Sequence, residues 1–537
     1  MSDLPEAAPL SEQVQVTQAA GLIALGNVAS RVLGLLRVIV KSGLFGAGPH
    51  VSALDAAVRV PTTLYDLLVG GMVSSALVPV LSDYAGRERH EELWKLLSLL
   101  LTTASLIVAL FLLAGELLAP QVIWLIAGGL TESTQALAVD LLRLVLPAIV
   151  FLNLAGILMG ALYALKRFIL PAFAAAVFNA AVVIVALLLG RRWGVHSMAL
   201  GLVIGAALQV VLQLPGLRDA RLRFTLDLHH PALRRIGLLY LPIMIGLVVD
   251  NFLSTFLSYN LASRIGDSSI AWMEYAAQII QFPLGLVAAA VSIAILPTLS
   301  RQASAEESVP FSASLAQGLR LILALVIPAT VGLFVLARPL IALVFEHGDF
   351  TAADTVAVAE ALRYHLVGLT FAAVDQLLVF AFYARKDTLT PALVGIVTTV
   401  LYALTALGLA GLGLLTLPLL ILTNSLKWMA HALVMLVLTR RQIGSLHGHG
   451  MGMLILKAVA ASLAMAGLTW GALALLSRAG LPGTIGELLV VAGAGGVGAG
   501  AYGLLAIWMR MEEIPLLRAA LADGLRRLAS LKQERRP

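Results

Sequence analysis

Cysteine is absent from the 537 residues, and only 12% of them are charged. Without cysteine the chain has no disulfide framework, no thiolate nucleophile and no cysteine metal site. Charged residues usually make up about a quarter of a soluble domain. Here 60% of the residues are hydrophobic and the mean hydropathy is +0.95. The composition therefore predicts a polytopic membrane protein.

Several functional motifs are also missing. No G-x-x-x-x-G-K-[ST] sequence occurs, so we expect no ATP hydrolysis, and the G-x-G-x-x-G match at 493–498 lies inside an apolar run with no preceding strand. No nucleophile motif or zinc spacing supports an enzyme, a metal site or a cofactor. The net charge of +6 comes from basic residues in short loops and the tail, where membrane topology explains them better than nucleic acid does.

Long apolar stretches dominate the rest of the chain. A transmembrane helix needs about 20 mostly apolar residues. By that rule we predict an all-α fold with about fourteen spans, at 20–42, 52–80, 93–115, 135–163, 169–190, 196–216, 235–262, 269–299, 313–343, 353–384, 388–410, 415–439, 452–476 and 484–508. Alternate loops are rich in Lys and Arg, and by the positive-inside rule these face the cytoplasm together with both termini. The N-terminal segment lacks the basic start and cleavage site of a signal peptide.

An internal repeat organises these helices. VSSALVPVLS at 73–82 matches VSIAILPTLS at 291–300, and LYALKRFILPA at 162–172 matches FYARKDTLTPA at 382–392. The displacement of about 220 residues spans six helices, which predicts two pseudo-symmetric six-helix lobes related by an axis along the membrane normal. The predicted regions are an N-terminal cytoplasmic segment (1–19), an N-lobe (20–217), a cytoplasmic linker (218–234), a C-lobe (235–440), helices thirteen and fourteen (441–508) and an amphipathic cytoplasmic tail (509–537).

Charges inside the first predicted helix need an explanation. Arg31, Arg37 and Lys41 lie in the stretch SRVLGLLRVIVKSGLFGAG. Each cation costs roughly 2.5–3.5 kcal/mol at the centre of a membrane helix, so such groups usually face a water-filled cavity or a partner. Arg59 in the second predicted helix could join them. The alternative for the second helix is a structural ion pair between Asp55 and Arg59, which are one helical turn apart.

The second half of the chain contributes further polar groups. Asp250 and Asn251 stand together in an apolar run, which suits a monovalent cation or a proton; pairing of Asp250 with Arg31 or Arg37 is the equal alternative. We expect His431 to be a packing residue. The residues thus predict a monomeric secondary transporter for an anionic substrate, with the substrate gradient, an ion gradient or the membrane potential as its energy source.

Motifs in this order resemble one family. They are SRVLGLLR (30–37), LFGAG (44–48), RVP (59–61), ALVPVLSDY (76–84), FPLG (282–285), ILPTLS (295–300), VFEHGDFTAADT (344–355) and FYARKDTLTP (382–391). Together they resemble the MurJ/MviN lipid II flippases of the multidrug/oligosaccharidyl-lipid/polysaccharide exporter superfamily. The resemblance implies fourteen helices and a cationic cavity. It also implies transport of the undecaprenyl-pyrophosphate-linked peptidoglycan precursor across the bacterial plasma membrane, with membrane lipids as further partners.

The same resemblance suggests site residues. Arg31 and Arg37 match the arginines of the first-helix motif and are the expected pyrophosphate contacts, with Lys41, Asp55 and Arg59 as further substrate-binding candidates. The chain differs from the family pattern at several cavity charges, where it has Val38, Ser52, Thr62, Tyr65 and the segment 275–281. A flippase for another polyprenyl-linked glycan and a non-transporting cell-envelope scaffold therefore stay open as alternatives.

Overall fold

The computed structural model describes residues 10–67, 73–86, 90–227, 229–305, 308–443, 450–478, 480 and 483–515. Within these ranges every regular element is a helix, which confirms the predicted all-α membrane fold. Ten of the described helices are long and apolar enough to cross a membrane, or up to eleven if the bent pair Glu132–Val145 and Ala148–Ala164 forms one span. The number of fourteen spans stays a prediction.

The described residues fall into two compact units, one from residues 1–271 and 345–354, the other from 272–344 and 355–537. In chain order the helices are α1 (Leu10–Phe45), α2 (Pro49–Tyr65), α3 (Val78–Ser82), α4 (His90–Leu117), α5 (Ala119–Ala127), α6 (Glu132–Val145), α7 (Ala148–Ala164), α8 (Ile169–Trp193), α9 (His196–Gln213), α10 (Pro231–Asp250), α11 (Leu257–Ile265), α12 (Ser269–Pro283), α13 (Ala289–Ser304), α14 (Ser308–Phe345), α15 (Ala352–Ala384), α16 (Leu389–Gly411), α17 (Leu417–Ile443), α18 (Met451–Ser477) and α19 (Gly483–Trp508). Helices α10 and α11 pack in the first unit, although the sequence repeat assigns them to the second lobe; the lobe boundaries stay a prediction.

Most helix ends lie within a few residues of their predicted positions. Helix α1 differs more, because it begins at Leu10, ten residues before the predicted span. The nine-residue helix α5 is an additional element, which the sequence does not predict because it is too short to cross a membrane. Of the predicted amphipathic tail, residues 516–537 lie outside the described residues. Large apolar side chains are exposed along the helices, among them Leu188, Trp470 and Leu504, as expected for surfaces that face lipid.

The core of the first unit lies where α3, α4, α7 and α10 meet. Leu81, Leu97 and Leu162 are completely buried there. The Tyr240 hydroxyl donates to the main-chain oxygen of Leu67 at 2.7 Å, next to the end of α2. Main-chain groups freed from regular helix bonding need such partners inside a membrane. This packing holds the second predicted span, with its π-helical segment Val73–Leu77, against α10.

Two glycines join α1 to the loop that follows α14. The main-chain N–H of Asp349 donates to the oxygen of Gly43 at 3.1 Å, which places residues 345–354 in the first unit. Gly46 has φ +67° and Gly348 has φ +60°, which lie in the left-handed region that residues other than glycine rarely adopt. A Cβ at Gly348 would also collide with the main-chain oxygen of Gly43. The motifs LFGAG and EHGD therefore form one tight backbone contact.

Gly348→Ala is expected to destabilise the first unit. The left-handed conformation costs a non-glycine residue about 1–2 kcal/mol, and the collision with the Gly43 backbone adds to it. Thermal unfolding of the purified protein in detergent measures the effect. Gly237→Ala is the matched control because a Cβ there meets nothing within 4 Å. An equal unfolding temperature for Gly348→Ala and wild type would contradict the proposed role of this contact.

In the second unit, α14, α18 and α19 enclose a separate core. The buried Tyr502 hydroxyl donates to the oxygen of Ala324 at 2.7 Å. Beyond α19 the chain turns back, and Arg320 of α14 bonds Glu512 at 2.7 Å and Glu513 at 2.6 Å. The Glu513 side chain is only 3% exposed, so this ion-paired cluster ties the end of α19 to α14.

One turn geometry occurs in both copies of the sequence repeat. Lys166 has φ 58° and Lys386 has φ 62°, and each follows the end of its helix. The N–H of Arg167 donates to the oxygen of Leu162 at 2.8 Å, and the N–H of Asp387 donates to that of Phe382 at 3.0 Å. Both are Schellman turns, in which a residue in the left-handed region ends the helix. The same non-glycine residue in the same unusual conformation, 220 positions apart, supports the duplication inferred from sequence.

Candidate substrate-binding site

Arg31 and Arg37 lie on α1 in the first unit. Arg31 is exposed, whereas Arg37 is partly buried and its guanidinium carbon lies 5.9 Å from the centre of the Phe178 ring of α8. In the part of the chain that the structure describes, neither arginine forms an ion pair with a carboxylate. A cation–π contact orients a guanidinium but leaves its hydrogen-bond donors available. Both arginines can therefore donate to an anionic group.

Lys41 is bound differently from the two arginines. Its ammonium contacts both carboxylate oxygens of Asp55 on α2, at 2.8 and 2.9 Å. The Lys41 and Asp55 side chains are 12% and 14% exposed. This short ion pair joins α1 to α2. The ion pair of Asp55 with Arg59 stays a prediction. A buried pair of this kind holds two helices together and lowers the net charge of the site.

Arg59 contacts α11. Its Nε and Nη2 atoms donate to the Tyr259 hydroxyl at 3.1 and 2.8 Å, and its guanidinium carbon lies 5.0 Å from the centre of the tyrosine ring. These bonds connect residues 200 positions apart. A bidentate contact to a neutral hydroxyl fixes the direction of the guanidinium.

At two positions where the family pattern has charged or amide groups, this chain has neutral side chains that contribute to helix packing. The Ser52 hydroxyl accepts the main-chain N–H of Ala271 at 3.1 Å and is completely buried. Thr62 donates to the main-chain oxygen of Val58, one turn back in its own helix, at 2.9 Å. A threonine hydroxyl that donates in this way finds its hydrogen-bond acceptor within its own helix. These positions contribute to helix packing.

Asp250 and Asn251 stand where α10 passes into the π-helical segment Asn251–Phe256. Asp250 is exposed. The Asn251 amide donates to the oxygen of Leu247 at 2.9 Å, and its Oδ1 lies 3.5 Å from the Thr63 hydroxyl. Single-turn π segments often accompany functional sites in helices. Asp250 and Asn251 as an ion site stay a prediction, and no cluster of three or more potential metal ligands occurs among the described residues.

Two polar contacts in the second unit were not predicted. His431 of α17 lies 2.6 Å from Asp375 of α15, where sequence reasoning had expected a packing residue. Lys427, one turn earlier on α17, has its ammonium 5.9 Å from the centre of the Tyr402 ring. The helical spacing of Lys427 and His431 was visible in the sequence, but nothing in it indicated which helices would pack against that face.

The second unit also contains an apolar cavity of about 550 Å³. Leu323, Phe371 and Leu436 line it, and Arg440 is the one cation among its lining residues. Such a lining suits apolar ligands and offers a pyrophosphate little to bind.

Comparison with known proteins decides the family. The family model described as "Lipid II flippase MurJ" matches residues 41–491. The chain belongs to the MurJ family. The lipid II flippase MurJ of Burkholderia cenocepacia is 32% identical over 380 residues, which are 69% of this chain and 73% of that protein. The probable lipid II flippase MurJ of Vibrio cholerae is 30% identical over 392 residues, 71% of this chain and 74% of that protein.

Solved structures agree on the fold. A lipid II flippase MurJ in an inward closed conformation superposes with a TM-score of 0.76 at 24% identity, covering 91% of this chain and 99% of that one. An inward-facing MATE family multidrug transporter of the MOP superfamily superposes with a TM-score of 0.63 at 15% identity, covering 78% of this chain and 95% of that one. These two matches confirm the predicted fold. The MurJ match begins at Lys41, so the assignment of Arg31 and Arg37 rests on the first-helix motif and on their geometry.

Proposed function

We propose that this MurJ family member translocates lipid II, the undecaprenyl-pyrophosphate-linked peptidoglycan precursor, from the inner to the outer leaflet of the bacterial inner membrane. Arg31 and Arg37 carry the proposal, because they are two intramembrane cations that form no ion pair within the described residues. A guanidinium matches phosphate oxygens with two parallel hydrogen bonds. The named MurJ relatives are flippases, which transport a substrate and do not transform it chemically.

Arg31 and Arg37 are the proposed pyrophosphate contacts, and Arg59 is a third candidate, held by Tyr259. Lys41 and Asp55 neutralise each other and contribute to the site through its shape. The cycle is alternating access, with both termini in the cytoplasm and a single chain as the working unit. The energy source is the membrane potential or a monovalent cation, for which Asp250 and Asn251 are the candidate ligands.

Complementation tests the proposed substrate. A cell depleted of its own lipid II flippase should regain growth when it expresses this chain, and its membrane vesicles should again expose labelled lipid II on the outer leaflet. Immunoblotting of isolated membranes shows that the protein is present. Absent growth and absent lipid II exposure at normal protein levels would refute the substrate and favour another polyprenyl-linked glycan or a scaffold role.

A further inference from the structure

His431 and Asp375 form a polar site inside the second unit. His431 Nδ1 lies 2.6 Å from Asp375 Oδ1, and His431 Nε2 lies 3.4 Å from the main-chain oxygen of Pro391. The three residues belong to α17, α15 and α16. The His431 and Asp375 side chains are only 13% and 21% exposed. The site therefore connects three membrane helices in a largely buried position.

Both nitrogens of the His431 ring face oxygen atoms, and with an ionised Asp375 both of these oxygens are hydrogen-bond acceptors. A neutral imidazole has one N–H and one lone pair, so it can serve only one of these acceptors. The doubly protonated ring serves both, and the Asp375 carboxylate then balances its positive charge. Loss of the Nε2 proton would turn a lone pair toward the Pro391 oxygen and leave the pair with a net negative charge inside the membrane. The geometry thus fits a bound proton.

The neighbouring titratable groups lie on the same three helices. On α15, Tyr383 is near enough to Asp375 to interact with it electrostatically. On α17, Lys427 precedes His431 by one turn, and its ammonium lies over the ring of Tyr402 on α16. Gain or loss of the His431 proton therefore changes the net charge of this buried cluster.

The fold itself does not require the pair. At a displacement of 220 residues, the first copy of the repeat has Ala155 in place of Asp375 and Val211 in place of His431. The first copy builds the corresponding helices α7, α8 and α9 with apolar residues at these positions. Ionisable groups inside a membrane are costly, and they commonly mark ion or proton pathways. A pair present in one copy alone indicates a function that the other copy lacks.

We propose that His431 and Asp375 form a proton-binding site, and that its proton is taken up and released during the transport cycle. The proton adds to Nε2 of His431 from water. Because the bound proton bridges α17 to α16 through Pro391, its release weakens the contact between these helices. Binding of the proton stands on geometry alone, whereas the link to transport rests on the proposed function.

The binding step is tested by nitrogen NMR of histidine-labelled protein in lipid nanodiscs. The His431 signal is identified by its loss in His431→Gln. We expect the doubly protonated ring to be replaced by the singly protonated ring as the pH of the sample is raised through the range in which histidines act as switches. In Asp375→Asn the doubly protonated signal should be weaker throughout this range. A His431 ring that keeps one protonation state, or is unaffected by Asp375→Asn, would overturn the proton site.

The link to transport is tested by flipping of labelled lipid II in proteoliposomes at a clamped membrane potential. The wild-type rate should depend on pH, and His431→Gln should lose this dependence. His229→Gln, at an exposed position of the linker, should keep it. The double variant Asp375→Ala with His431→Val has the residues of the first repeat copy at both positions, so it should fold. Its rate of flipping should also be independent of pH. Equal pH dependence in wild type and this double variant would overturn the link. Absence of any wild-type flipping would refute the proposed function and leave the NMR result to decide the proton site.

Discussion

Arg37→Ala is expected to abolish lipid II flipping without reducing the amount of protein in the membrane. A hydrogen bond to a charged group contributes about 1.5–3 kcal/mol, so loss of this contact weakens binding about tenfold to a hundredfold. The folded protein should not suffer, because Arg37 forms no ion pair in the described residues and its insertion into a membrane helix is itself unfavourable. Loss of transport together with unchanged or higher stability identifies a functional cation.

Three variants make this test specific. Arg37→Lys keeps the charge but loses the paired donors, and should flip lipid II at an intermediate rate. Phe178→Leu removes the cation–π contact and should have a smaller effect than Arg37→Ala. Arg191→Ala, at an exposed position in the last turn of α8, is the matched control and should behave as wild type. The rates are measured in proteoliposomes with labelled lipid II. Full activity of Arg37→Ala would remove this arginine from the pyrophosphate site.

Asp55→Asn is expected to cause the largest loss of stability among substitutions in α1 and α2. Lys41 contacts both oxygens of Asp55, and both side chains are nearly buried. Removal of one partner from a buried ion pair costs about 3–5 kcal/mol, because the remaining charge stays buried without compensation. Lys41→Met should destabilise the protein for the same reason. Thermal unfolding in detergent and the yield of folded protein measure both effects.

A double substitution separates structure from substrate binding at this pair. Lys41→Met together with Asp55→Leu removes both charges, and apolar replacements of buried pairs are often neutral or stabilising. We expect this variant to regain wild-type stability and to flip lipid II, because the ion pair joins α1 to α2 and leaves Arg31 and Arg37 in place. A stable but inactive double variant would show instead that Lys41 or Asp55 contacts the substrate.

The contrast between these two predictions follows from how the cations of the first unit are bound. Lys41 is neutralised by Asp55, and Arg59 is oriented by the neutral hydroxyl of Tyr259. Arg31 and Arg37 have no carboxylate partner within the described residues. A run of three cations in one helix thus contains one structural group and two that are available to an anion.

Several features of this protein were determined by the sequence alone. Apolar runs predicted helices such as α12 and α15 nearly at their observed starts, because the cost of burying polar groups in a bilayer depends on local composition. The ordered motifs predicted the MurJ family. The sequence also singled out Arg31 and Arg37, since charges are rare inside membrane helices.

Only the tertiary structure decided which partner each charge binds. Asp55 contacts Lys41 across two helices, Arg59 binds Tyr259 across 200 positions, and His431 binds Asp375 across 56. Helical periodicity shows which residues share a face, but it does not show which other helix will cover that face. The helix that covers each face is set by the packing of all the helices together. This packing determines which charges are neutralised and which remain available to a substrate.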